Sequence, residues 1–283
     1  MQPFAQARDD YAIFTDLAER LGSRRAFTED RTPTQWLEHL YEPTRLGLAK
    51  LGLEAPSFSE FWTRGEIDLP TDPRPSLIRA FRQDPEKNPL PTPSGKIEIF
   101  SSTIASFGYD DCPGHPAWLE PTEWLGAPAA ADHPFQLVAN QPSTRLHSQL
   151  DFGSNSQAGK RDGREPLRMN PKDAAQRKLA DGDVLRVFNG RGAFLATLIV
   201  SDAVRPGVVQ ASTGAWFTPL DDAETITCGH GNVNTVTIDV GTSRLAQGCT
   251  GQLCLVDVVK YKANVPVLDP FSPPATSARP RRL

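Results

Sequence analysis

The sequence predicts a mixed α+β chain in which a partly helical, proline-rich segment precedes a region of short strands. Three observations carry that reading. Apolar residues recur at three- and four-residue spacing before residue 52, prolines crowd residues 56–128, and beyond residue 131 short runs rich in apolar and β-branched residues are punctuated by turn signals. The change of pattern places a domain junction near Ala130, at the end of a connector that closes in Ala129-Ala130-Ala131.

The first element runs from Asp9 to Gly22. Tyr11, Phe14, Leu17, Ala18 and Leu21 share one helical face between an Asp pair and a glycine stop. Thr32-Pro33-Thr34-Gln35 then supplies an N-cap, a proline in the first turn and a Gln three residues on, ahead of Trp36, Leu37, Leu40 and Tyr41. Arg45–Gly52 adds a third helical turn or two. Pro56–Pro93 reads as an extended loop, and the turn Thr92-Pro93-Ser94-Gly95 leads into Lys96-Ile97-Glu98-Ile99-Phe100, which alternates as a half-buried strand does.

Six strands are expected beyond the junction: Phe135–Ala139, Val184–Phe188, Ala193–Val200, Val208–Ala211, Val233–Ile238 and Gln252–Val259. That number of short strands suits a barrel or a sandwich. Asn189-Gly190-Arg191-Gly192 is the strongest hairpin signal, because Asn and Gly tolerate the positive φ of a primed turn. One helix interrupts the strands, capped by Asn170 with Pro171 first and Asp173 near the positive end of its dipole. The domains read as residues 1–130, 131–262 and a tail, 263–283, expected to be disordered.

Composition narrows the function. The 283 residues are 39% hydrophobic and 23% charged, enough for a sizeable core, and a net charge of -4 supplies no basic field for nucleic acid. No run of about 18 apolar residues is present, so no membrane span is expected. The four cysteines, Cys112, Cys228, Cys249 and Cys254, form no C-x-x-C pair of the kind zinc or iron–sulfur sites need. G-x-S-x-G, G-x-x-x-x-G-K-[ST] and G-x-G-x-x-G are all absent, which leaves hydrolase, P-loop and Rossmann readings without support.

Three loops concentrate polar groups. Asn140-Gln141-Pro142-Ser143-Thr144-Arg145-Leu146-His147-Ser148-Gln149 follows a strand, and its amides match the fixed donors and acceptors of a pterin or guanine edge. Arg145 and His147 suit a pyrophosphate or ring oxygens. Gly229-His230-Gly231-Asn232-Val233-Asn234-Thr235-Val236-Thr237 is a glycine-flanked turn whose two Asn residues share a face on the entry to a strand. Asp239–Gly248, with Thr242, Ser243, Arg244 and Gln247, is a third candidate. Each also suits a solvated loop capped by its own side chains.

Taken together these loops resemble the C-terminal domain of the dimethyl sulfoxide reductase family of molybdenum enzymes. The resemblance rests on Asn140-Gln141-Pro142 through Gln149, Met169-Asn170-Pro171-x-Asp173-Ala174, Asp181-Gly182-Asp183 through Gly192, and Gly231-Asn232-x-Asn234. The run Phe107-Gly108-Tyr109 through Cys112-Pro113-Gly114-His115-Pro116-x-Trp118-Leu119-Glu120 is similar to the biotin sulfoxide and trimethylamine N-oxide reductase branch. The resemblance implies a six-stranded double-psi β-barrel for residues 131–262, with residues 1–130 belonging to the preceding reductase domain and connector. It implies a bis(molybdopterin guanine dinucleotide) molybdenum cofactor. Asn140, Gln141, Arg145, His147, Ser148 and Gln149 would line one dinucleotide, Asn170 and Asp173 would face a guanine end, and Asn232, Asn234 and Gln247 would meet a pterin. These are hydrogen-bonding roles; no residue is assigned as catalytic or as a metal ligand. The family's molybdenum-ligating serine lies upstream of anything in this chain, so no turnover is expected of the chain alone. The expected function is therefore cofactor binding, as part of such a reductase or beside an N-terminal companion chain; the alternatives are a stand-alone assembly module or a non-functional fragment. Residence in the cytoplasm is expected, the N-oxide branch being often exported.

Overall fold

A computed structural model describes residues 6–69, 78–220, 225–248 and 253–272. Packing divides the chain into two units, residues 1–96 and 97–283. Among the described residues no helix is long and apolar enough to cross a membrane.

In the first unit, α1 (Asp10–Arg20) starts where Asp9 accepts the Ala12 N–H at 2.8 Å. After α2 (Arg24–Thr28), α3 runs from Pro33 to Lys50, opened by the Thr32/Gln35 capping box. The separate turn expected at Arg45–Gly52 is the end of this helix, which continues through Pro43. Residues 56–93 are not one extended loop. Ser57 and Glu60 form a second capping box that opens α4 (Phe58–Arg64), and α5 spans Arg79–Gln83. Tyr41 explains why α4 folds back. Its ring stacks on Phe61 at 4.8 Å and its hydroxyl donates to the Pro56 carbonyl at 2.8 Å.

The strand expected at Lys96–Phe100 does not form. Among the described residues no strand lies beside it to take its ladder bonds, and Ile97 and Ile99 are 65% and 80% exposed. Residues 97–130, the connector in sequence terms, pack with the second unit: after α6 (Ser102–Ser106), Glu123 accepts the Arg191 fork and the Leu255 N–H at 2.8 Å.

The second unit is built on a closed barrel. Its elements are β1 (Phe135–Val138), α7 (Ser154–Ala158), β2 (Pro166–Met169), α8 (Pro171–Gln176), β3 (Val184–Asn189), β4 (Gly192–Val200), β5 (Val208–Ala211), β6 (Thr227–Cys228) and β7 (Leu253–Lys260). The strand order is β2-β5-β1-β7-β3-β4, and pairing of β2 with β4 closes the ring; β6 lies outside on β4. β1 with β5 and β2 with β4 are parallel, while the remaining ring pairs are antiparallel. Closure leaves no free edge in the ring. Leu137, Leu167, Leu185, Val187, Phe194, Leu198, Val209, Val256 and Val258 fill the interior.

The expected ring of six is present, but one member differs. Val233–Ile238 is no strand. Its first residues form a 3-10 turn, Val233–Thr235, because Asn232 accepts the Asn234 N–H at 2.9 Å and caps it. The sixth ring strand is β2, four residues that begin with proline. Residues 263–272 of the tail are seated rather than loose: Arg164 donates to the Pro266 carbonyl at 2.6 Å. Residues 273–283 fall outside the described part, as do Cys249 and Gln252.

The hairpin β3–β4 forms as expected, yet neither Gly190 nor Arg191 has a positive φ. Asn189 acts through its side chain instead. Its buried amide donates to the carbonyls of Val236 at 2.8 Å and Leu255 at 3.0 Å and accepts the Arg191 N–H at 3.0 Å. Asn189→Ala takes this donor from the buried Leu255 carbonyl and leaves the Val236 carbonyl to Arg191 alone, and urea unfolding should show a loss of about 1–3 kcal/mol; a change within about 0.5 kcal/mol would contradict the assignment.

Candidate functional site

Because β1 and β5 run parallel, the loops that follow them leave the barrel at the same end. They are tied at once: the Thr213 N–H donates to the Asn140 carbonyl at 2.9 Å. Gly214 then passes so close to the other loop that a Cβ would lie 1.8 Å from the His147 carbonyl, and its φ of +89° suits glycine alone.

Beneath these loops lies a buried ion cluster. Arg145 donates to Glu165 Oε1 at 2.7 Å, to the Thr213 carbonyl at 2.8 Å and to the His147 carbonyl at 3.2 Å. Lys160 Nζ lies 2.6 Å from Glu165 and 2.8 Å from Asp151. His230 Nε2 meets the other Asp151 oxygen at 3.1 Å, and the Trp216 N–H donates to that oxygen at 3.0 Å. These five side chains are 4% exposed or less. Gly231, at φ +101°, lets the His230 turn pass Glu165, where a Cβ would stand 2.7 Å from the Glu165 Cβ.

Arg145 is therefore turned inward and its guanidinium is spent on the protein. Outside it, Gln141 clips His147. The His147 backbone N–H donates to Gln141 Oε1 at 3.0 Å, which fixes the amide's orientation, so Gln141 Nε2 donates to His147 Nδ1 at 2.9 Å. A neutral His147 then carries its proton on Nε2.

Three cavities open at this end. The largest, about 610 Å³, is lined by Gln141, His147, Ser148, Thr213, Gly214, Asn234, Thr237 and Asp239 among others. A second, about 270 Å³, shares Gln141 and adds Asn140, Arg145, Arg168 and Gln210. A third, about 450 Å³, shares Asn234 and Thr237 and adds Arg191, Phe217 and Asn232. The structure thus brings Gln141, His147, Ser148 and Asn234 around one space, with Asn140 and Asn232 in the two beside it.

Gln149, Asn170, Asp173 and Gln247 line none of the three. Asn170 caps α8 through the Lys172 N–H and donates to the Val204 carbonyl at 2.7 Å. Asp173 accepts the Gly207 N–H at 2.8 Å, and Gln247 donates to the Ser243 carbonyl at 3.1 Å. Sequence reasoning missed Arg168, Thr213 and Gly214, while Thr237 closes the second candidate turn. Arg168 donates to Gln210 at 2.7 Å and has no carboxylate partner among the described residues, so its charge is open to a ligand.

Residues 135–255 match the family model of the molydopterin dinucleotide binding domain. This region belongs to the molybdopterin dinucleotide-binding domain family. The chain is 48% identical over 270 residues to the dimethyl sulfoxide/trimethylamine N-oxide reductase of Cereibacter sphaeroides, covering 94% of this chain and 33% of that protein. It is 44% identical over 257 residues to biotin sulfoxide reductase of the same organism, covering 90% of this chain and 34% of that protein. The fold is similar to that of acetylene hydratase from Pelobacter acetylenicus, with a TM-score of 0.65, 19% identity and coverage of 92% of this chain and 34% of that one. The chain spans about a third of the length of the curated relatives it matches.

A molybdopterin dinucleotide needs neutral donors and acceptors along its pterin and a cation near its diphosphate. The cavities of this dinucleotide-binding domain provide both: amides, hydroxyls and His147 line the largest beside the Asp239 carboxylate, and Arg168 lines its neighbour.

Burial alone would raise the Asp151 carboxyl, but His230, Lys160 and the Trp216 N–H outweigh it and hold it well below the usual carboxylate range. Folding therefore favours the charged form. Its stabilisation is complete above the unfolded value of about 3.9 and is lost as pH falls from there toward the depressed folded value. Asp151→Asn should cost roughly 3–5 kcal/mol at neutral pH and flatten the decline of urea-unfolding stability below about pH 4. A mutant whose acid slope equals the wild type's would contradict this.

Proposed function

We propose that this chain grips the pterin dinucleotide of a molybdenum S-oxide or N-oxide reductase similar to biotin sulfoxide reductase. The observation that carries the proposal is the convergence of Gln141, His147, Ser148 and Asn234, up to 93 positions apart in sequence, on one cavity of about 610 Å³. The cofactor would be the bis(molybdopterin guanine dinucleotide) form, and the chemistry it supplies when bound is removal of oxygen from the oxide substrate.

The protein's share is recognition and orientation. His147, held by Gln141, offers its Nε2–H to a pterin ring atom; Ser148, Thr213, Asn234 and Thr237 complete the edge. Arg168 would meet a diphosphate oxygen, with Asn140 placed beside it through Gln210. Arg145 serves by holding the loop rather than by touching the ligand. Asn232 would serve a neighbouring pterin portion, Asn170 and Asp173 a guanine end, and Gln149 and Gln247 the margins of the site. These roles are to the organic part of the cofactor.

The rest of the reductase, fused or as a companion chain, belongs to the same proposal. So does cytoplasmic residence, with which the free thiols of Cys112, Cys228 and Cys254 agree.

The test is to purify the chain from a host that makes the guanine dinucleotide cofactor and to assay the denatured protein for GMP and molybdenum. GMP should be present, and Gln141→Ala and Asn234→Ala should each lower its retention roughly threefold to tenfold, the effect of one lost hydrogen bond. A wild-type chain free of GMP would contradict the proposal.

A further inference from the structure

The segment after β7 returns across the barrel, and three contacts seat it. The Pro266 carbonyl accepts from Arg164 at 2.6 Å. Leu268 lies against Gly229, where a Cβ would meet its Cδ2 at 2.8 Å. Phe271 then sets its ring edge-on against Trp216 and His230, each centroid 5.3 Å away, with Phe152 at 6.4 Å.

Trp216 links this cluster to the largest cavity. Its indole N–H donates to the Ser148 carbonyl at 2.9 Å, and its backbone N–H donates to Asp151 at 3.0 Å. The same loop also meets the Gly214 backbone. Gly214 thus meets the His147–Ser148 peptide, and the Trp216 ring holds the next one, Ser148–Gln149. Trp216 is itself 36% exposed, and its ring partners are Phe152 and Phe271. Without Phe271 the indole loses one of those two partners and gains rotamer freedom, so the hydrogen bond to Ser148 loosens.

We propose that residues 264–272 form a strap, and that Phe271 is a positioning residue that holds the His147–Ser148 side of the pterin cavity through Trp216. The link from the strap to the cavity runs through Trp216. Its consequence is that the cavity is shaped from the far end of the domain: the last described residues of the chain fix a loop 123 positions earlier. The inference rests on the reading of this cavity as the pterin site.

Hydrogen exchange by mass spectrometry on the full chain tests it without relying on activity. Phe271→Ala should speed exchange in peptides covering 146–151 by about tenfold, the size that one or two aromatic pairs account for, while strands β3 and β4 keep their protection. Phe271→Tyr should restore the wild-type pattern, and Phe271→Leu should fall between the two and serves where the alanine variant fails to fold. GMP retained from a cofactor-making host should fall with Phe271→Ala and return with Phe271→Tyr. Unchanged exchange at 146–151, or a rise shared equally by β3 and β4, would overturn the strap. If exchange rises at 146–151 alone while neither Phe271→Ala nor Gln141→Ala lowers GMP, the strap's hold on the loop stands and the pterin reading of the cavity falls.

Discussion

The cluster of Arg145, Asp151, Lys160, Glu165 and His230 is the constraint on which the site depends. Taking such charges out of water costs several kcal/mol per ion, so the arrangement is tolerable only if nearly every charge meets a partner at bonding distance. Here two cations face two carboxylates, and His230 and the Trp216 N–H complete Asp151. Four members come from the long connection between β1 and β2 and the fifth, His230, from the turn after β6. A displacement of any one leaves a buried charge uncompensated, and that penalty is what gives the loop after β1 and the turn after β6 a single geometry.

Barrel topology sets where that geometry appears. The parallel pair β1 and β5 delivers residues 140–151 and 212–216 to one end, and the Thr213–Asn140 bond with the close pass at Gly214 locks them side by side. The second constraint comes from the hairpin. Asn189 and Arg191 both donate to the Val236 carbonyl, which holds the 3-10 turn that carries Asn234 into the same cavity. A dinucleotide-binding domain has few cations of its own to offer a ligand here: Arg145 and Lys160 are consumed beneath the loops and Arg191 is paired with Glu123, while Arg168 stays open. Recognition thus falls to neutral groups whose positions the charges underneath fix.

Much of this was legible beforehand where local chemistry decides structure. Asp9, Thr32 and Asn170 announced their helices because a side-chain cap is a short-range interaction, and the Asn189–Gly192 hairpin was visible for the same reason. Ser57-x-x-Glu60 is an equally clear capping box, overshadowed by the surrounding prolines. What failed was periodicity in short runs: Val233–Ile238 alternates as a strand does, but the Asn232 cap turns it into a 3-10 helix, and Lys96–Phe100 alternates with no neighbour to pair with. β2 was hidden because four residues led by proline carry almost no pattern. In the site, the polar density of residues 140–149 was readable, whereas the inward turn of Arg145 was not, since it depends on Asp151 and Glu165, whose placement only the fold supplies. Arg168 escaped notice because a lone arginine within a strand looks like any surface charge.

Lys160 lines neither cavity that shares Gln141, yet the account makes it necessary to both. The most direct test is therefore the GMP content of Lys160→Met, purified from a host that makes the guanine dinucleotide cofactor, with circular dichroism to verify the barrel. If the buried cluster positions the site, the variant folds with the barrel's spectrum and loses most of its GMP, because Asp151 and Glu165 are left competing for Arg145 and the loop above them shifts. A folded variant that retains the wild-type GMP content would contradict the account.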